Sequence, residues 1–283
     1  MAITFLFGTP SETPLVPPAH QADDYIVAIC ECSSGTITTP AGMSIVEGFP
    51  VVHNGGATVL SVFIAKAVNG AFGNITMAGG TNHMFGVVCR VRGADLTNPI
   101  DAVATSPGTG ASVNGYAPGL KTSVPNAKIL AMIAASIDGT TGNISSAEAN
   151  ASLTSVVEES DGGTLTNDGG CVVCISGDKA AAGPVSPTTC TLTSTSFCSA
   201  TIAFRPAVST PYNAIGVATI AGSPAPDGGV VDVYDVTTKV GTATLASGDG
   251  SFSVPVPLNT ANRYVAVFNN GASYGASPKA TAS

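Results

Sequence analysis

Residues Tyr25 to Ser33 read YIVAICECS, and residues Lys128 to Ser136 read KILAMIAAS. The two runs match position for position at an offset of 103 residues, from 25 to 128. Each is an apolar block bounded by turn chemistry, which reads as a β-strand. Their surroundings recur as well. SIVE (Ser44 to Glu47) matches SVVE (Ser155 to Glu158). VLSVFIAKA (Val59 to Ala67) matches VVCISGDKA (Val172 to Ala180), which sets Lys66 against Lys179. MFGVVCRVRGA (Met84 to Ala94) matches FCSATIAFRPA (Phe197 to Ala207), which sets Arg92 against Arg205. Four blocks in one order indicate a two-fold internal repeat, with halves at about 24–101 and 127–207.

Two sets of four strands make eight, the strand count of a jelly roll built from two Greek keys. Helix signals are too sparse for an α/β fold. The expected architecture is therefore all-β, with an eight-stranded jelly-roll-like β-sandwich over residues 1–207. The stretch SSAEANASLTS, Ser145 to Ser155, suits a short helix or a polar loop, and the loop is the preferred reading. Beyond Ala207 the composition changes. Val208 to Ile215 reads as a linker, and residues 208–283 as a small Ig-like β-sandwich. In that unit Val230, Val231, Val233, Tyr234 and Asp235 form a strand, and Asp249-Gly250 turns the chain before SFSVPV.

Of the 283 residues, 44% are hydrophobic and only 10% charged, against about 25% charged in an ordinary soluble domain. Much of the surface must then be small, neutral and polar, which suits a protein packed among copies of itself. The net charge of −8 and the scattered Lys and Arg leave no electrostatic footprint for nucleic acid. The first twenty residues lack a basic n-region, and their apolar run is short for a signal peptide. No stretch approaches the roughly 18 consecutive apolar residues of a membrane-spanning helix. Synthesis in a cytosol, with no membrane partner, is expected.

Candidate chemistry is thin. His20, His53 and His83 have no metal-ligand spacing and read as surface or loop residues; no metal or cofactor is expected. Glu158, Glu159 and Asp161 form the densest acidic cluster, read as solvated loop carboxylates, since strand neighbours face opposite ways and no Trp accompanies them. SGDGS, Ser247 to Ser251, lacks the spacing of a calcium loop and reads as a hairpin turn. The seven cysteines are Cys30, Cys32, Cys89, Cys171, Cys174, Cys190 and Cys198. Cys171 and Cys174 have CxxC spacing, but on a strand residues three apart face opposite ways, which argues against a chelating or redox pair. Cys30 and Cys32 share one strand face. Two readings stand: buried small thiols, or disulfides to another strand or another subunit, which the odd count of seven allows.

Several of these segments together resemble a β-sandwich domain of tailed-bacteriophage and prophage structural proteins. The resemblance rests on Asp24 before the first strand, the turn Thr39-Pro40-Ala41-Gly42, Lys66, the run Arg92-Gly93-Ala94-Asp95 and Pro99-Ile100-Asp101. Met43 stands where the pattern has Trp. The second half ends in AFRPA, in keeping with such domains. Gly229 to Ser253 is similar to the Ig-like or carboxypeptidase-regulatory-like modules appended to phage surface proteins.

These resemblances imply a non-enzymatic virion component, most concretely a capsid decoration or capsid-linking protein. The expected partners are copies of the same chain, as a homotrimer, and the major capsid or tail protein. A tail, collar or fibre component is the structural alternative, and a carbohydrate-binding module in host adhesion an alternative of another class. An enzyme such as a depolymerase has no residues in its favour.

Overall fold

Strand β3 (Tyr25–Gly35) explains why the decisive run is apolar almost throughout. Its side chains alternate between two cores. Tyr25, Val27 and Ile29 enter one hydrophobic cluster, whereas Ile26, Ala28, Cys30 and Cys32 enter another on the opposite face. A strand covered on both faces needs no polar alternation.

The computed structural model describes residues 2–108, 112–137 and 145–207, and beyond them 212–220, 223–225, 227–235, 238–246, 248–256, 264–269 and 274–276. The chain divides into two compact units, Met1–Ala207 and Val208–Ser283. It is all-β; no helix occurs among the described residues. The first unit opens with β1 (Thr4–Phe7), β2 (Ser11–Glu12), β3, β4 (Ser44–Ile45), β5 (Val51–Val52), β6 (Val59–Lys66) and β7 (Gly80–Arg92). It continues through β8 (Ile100–Ser106), β9 (Ser112–Ala117), β10 (Leu120–Thr122), β11 (Ala127–Ala135), β12 (Ser145–Ala149) and β13 (Thr154–Thr164). It closes with β14 (Gly170–Lys179), β15 (Gly183–Val185), β16 (Thr188–Thr195) and β17 (Phe197–Phe204).

Two antiparallel sheets carry the repeat. The first has the order β1-β7-β3-β6-β4, with β2 on β7 and β5 on β6; the second has the order β8-β17-β11-β14-β13. Strand for strand, the orders correspond. Each half thus makes its own sheet of five strands on this path, one more than the sequence blocks indicated. The added strand is β1 in one half and β8 in the other. Phe5 lies opposite Val91 and Ile100 opposite Phe204, at equivalent positions. Ile100 and Asp101 accordingly open the second half instead of closing the first.

One sequence match is out of phase. Leu60 and Val62 of β6 face the shared core, and so do Val172 and Cys174 of β14. The true offset there is 112 residues (60 to 172), and Lys66 corresponds to Asp178, not to Lys179. The shorter block slips as well: Ser44 pairs with Ile64 as Val157 pairs with Ser176, after a register shift in β13.

The sheets pack face to face over a cluster that includes Val27, Leu60, Val87, Met132, Cys174, Ile202 and Phe204. The halves are also stitched together by their backbones. Ala94 bridges Pro206, and the Ala207 N–H donates to the Gly93 carbonyl at 2.8 Å. Gly93 has φ +83°, and a Cβ there would press on the Ala2 carbonyl. The outer face of the first sheet is covered by loop residues Leu15, Ile37, Met43, Ile75 and Met77. That of the second is covered by the small sheet β12-β16-β9 through Ala117, Cys190 and Leu192. The segment read as a loop or helix, Ser145 to Ser155, therefore supplies β12, a turn and the start of β13.

In the second unit β22 (Thr238–Thr244), β21 (Val230–Asp235), β24 (Tyr264–Asn269) and β25 (Tyr274–Ala276) form one sheet in that order. Strand β18 (Tyr212–Val217) pairs with β23 (Ser251–Val256), and β19 (Thr219–Ile220) with β20 (Ser223–Pro224). Val231, Val233, Leu245, Val254 and Phe268 share a core. Of the segment read as a linker, 212–215 is strand, and 208–211 lies outside the described residues. β22 and β23 belong to different sheets, so Asp249-Gly250 turns a connection between sheets rather than a hairpin; Ser247 lies outside the described residues.

Candidate functional site

Burial settles the thiols first. All seven cysteines are free and buried. Cys30 and Cys32 lie under the loops on the outer face of β3, Cys89, Cys174 and Cys198 in the core between the sheets, Cys171 under the small outer sheet and Cys190 on the inner face of that sheet. Cys171 and Cys174 do face opposite ways. Burial pushes the thiols of Cys32, Cys190 and Cys198 up to about 12, and those of Cys30, Cys89, Cys171 and Cys174 upward as well. Protonated, enclosed sulfurs are poor nucleophiles. No disulfide joins these residues and each is enclosed, which fits the buried-thiol reading and lends the disulfide and inter-subunit reading no support.

Between Cys30 and Cys32, on the inward face of β3, lies Glu31. Its carboxylate is completely enclosed, and His83 of β7 beside it is nearly so. Glu31 Oε2 and His83 Nε2 are 2.8 Å apart. Thr58 Oγ1 donates to Glu31 Oε1 at 2.8 Å. His83 Nδ1 lies 3.2 Å from the carbonyl oxygen of Asn167, in the β13–β14 turn of the other half. A Cβ on Gly170 would overlap both Glu31 Oε2 and His83 Nε2. Burial pushes the Glu31 carboxyl up, and the hydrogen bond to Glu31 pushes the His83 imidazole up. His53 and His83 read as surface or loop residues; His53 does lie in the turn after β5 but is buried, and His83 is buried on β7. Neither ring nitrogen of His53 meets a partner among the described residues.

At the opposite end of β3, Arg92 grips Asp24 with two bonds, Nε to Oδ1 at 2.8 Å and a terminal nitrogen to Oδ2 at 2.7 Å. The equivalent Arg205 bonds Asp101 Oδ1 at 2.8 Å. These pairs pin the last residue of β7 and the residue that follows β17. Lys66 pairs with Asp23 at 3.0 Å near the same end.

The acidic cluster is not a solvated loop. Glu158, Glu159 and Asp161 lie on β13. Ser145 Oγ donates to Glu148 and Glu158 at 3.0 and 3.2 Å, and its N–H to Asp161 at 3.0 Å. Glu159 accepts from Ser176 Oγ at 2.6 Å. Among the described residues no group of three or more His, Cys, Asp or Glu side chains is placed to hold a metal ion. A cleft of about 750 Å³ near β1 includes Phe5, Lys128, Glu159, Asp178 and Lys179 in its lining. Its Lys128 is held by Asp178 at 3.0 Å and sits 5.7 Å from the centre of the Phe5 ring.

The arrangement is one of clasps: paired charges and enclosed hydrogen bonds that tie strand to strand and half to half. One signal for it was present in the sequence, a lone glutamate inside an apolar strand. Its partner, 52 residues away, was not. No protein family, no curated protein and no solved structure matches the chain significantly.

Proposed function

We propose that this chain is a non-enzymatic structural protein of a tailed-phage virion, a capsid decoration or linking protein. In this reading the first unit is a jelly-roll-like domain that meets the shell, and the second an Ig-like module. One observation supports it above the rest. Several residues that carry the phage-protein resemblance help to hold the sandwich together: Asp24 bonds Arg92, and Ala94 bridges Pro206. The resemblance thus concerns how the domain is built, which suits a load-carrying part. The low charge content favours dense packing against neighbours. Partners are further copies of the chain, as a trimer, and the major capsid protein.

Quantitative mass spectrometry of purified particles tests this. A decoration protein is present in hundreds of copies, whereas a tail, collar or fibre component is present in about 3 to 18, as its symmetric assembly dictates. Absence from the particle, or retention of the isolated protein on host polysaccharide, overturns the reading.

A further inference from the structure

The enclosed Glu31–His83 pair is spare to that function, and its full set of hydrogen bonds needs a definite number of protons. Both ring nitrogens of His83 face oxygen atoms: Glu31 Oε2 at 2.8 Å and the Asn167 carbonyl at 3.2 Å. A carbonyl oxygen only accepts, so the contact to Asn167 is a hydrogen bond when Nδ1 carries hydrogen. Thr58 Oγ1 occupies Oε1 as a donor, so one further proton must lie between Oε2 and Nε2. Carried by either atom, it satisfies every contact. Its loss either sets the Oε2 and Nε2 lone pairs against each other or leaves the ring hydrogen on Nε2 and gives up the bond from Nδ1 to Asn167, and each is costly in a closed interior.

We propose that the Glu31–His83–Asn167 clasp is a proton-operated lock between the two halves of the sandwich, closed while the pair retains its shared proton and released on alkalinisation by opening of the β13–β14 turn. Gly170 is the packing element of the lock, because only a residue without Cβ fits against both groups. The release path follows from enclosure: with both side chains buried, the proton leaves only when the Asn167–Gly170 turn lifts.

The other titratable groups near the pair reinforce this sign. Glu12 of β2 carries negative charge towards His83. Cys32 of β3, Cys171 of β14 and Cys198 of β17 all feel the Glu31 charge and stay protonated through burial. His53 joins the same region through its main-chain N–H to the Thr58 carbonyl. His83 is held above its ordinary value in the folded chain. The clasp's contribution is therefore complete below about pH 6.5, the unfolded histidine value, and fades as pH rises through the folded value.

The test compares the full-length wild-type chain with Glu31→Gln, whose amide accepts from Thr58 and donates to a neutral His83 without needing the extra proton. Hydrogen exchange at Gly170 to Val172, corrected for intrinsic rate, is followed from about pH 6.5 to about pH 9, with nitrogen NMR of the His83 ring. In the wild type the opening constant rises by up to about tenfold per pH unit, the slope of one proton. In Glu31→Gln the slope disappears, and His83 titrates at least about one unit lower. Equal slopes, or the same ring titration in both chains, overturn the lock. If the variant does not fold, the wild type decides alone: a flat opening constant, or a His83 ring that titrates near its ordinary value of about 6.5, overturns it.

Discussion

Asp24 has almost no contact with water, yet it remains a carboxylate. Burial alone would raise its pKa; the Arg92 fork and the Gln21 N–H outweigh that and hold it below the ordinary value. A depressed carboxyl contributes stability that is present above the unfolded value, near 4, and is lost as pH falls through the folded one. Asp24→Ala leaves Arg92 ungripped and frees the end of β7. It is expected to cost about 2–3 kcal/mol at neutral pH, at the lower end for a broken buried pair because Arg92 is partly exposed. Chemical denaturation of both chains checks this, and the gap should narrow when the measurement is repeated below about pH 4. At this scale the sequence was half legible. Asp24 and Arg92 stood out at the ends of their strands. Glu31 and His83 could not be joined, because pairing residues of neighbouring strands needs the register and not the order of letters.

Among the elements, strands β17 and β1, one from each half, carry unequal loads. Phe204 of β17 is fully buried in the core between the sheets. Phe5 of β1 meets it edge-on at 5.5 Å and stays partly open to solvent. Phe204→Ala should cost about 3–5 kcal/mol, and Phe5→Ala about 1–2 kcal/mol, in keeping with its partial burial. Urea midpoints at unchanged slope would show it, and equal losses would contradict the layering. Strands β3 and β11 were readable because long apolar runs bounded by turns have few other meanings. The match of β6 to β14 slipped by one residue for the same reason: with both faces buried there is no polar alternation to fix the phase. Strand β12 escaped notice because its exposed Ser, Glu and Ala residues carry a weak apolar signal. It is a strand because its backbone pairs with β16 at the edge of the small outer sheet.

For the whole molecule, the thiols offer the simplest check. All seven should resist a thiol-specific reagent in the native protein and react together once it is unfolded. Reducing and non-reducing gels of the purified chain should then show the same single band. A rapidly labelled cysteine, or a covalent dimer, would contradict the placement of these residues. The stitched halves have a consequence for how such a protein lives at low abundance. A single half would leave the whole face of its sheet wet and could cover it only by meeting another half, so its folding would weaken with dilution. Tethered in one chain, the two faces find each other as a first-order event, and the sandwich forms equally well however scarce the protein is.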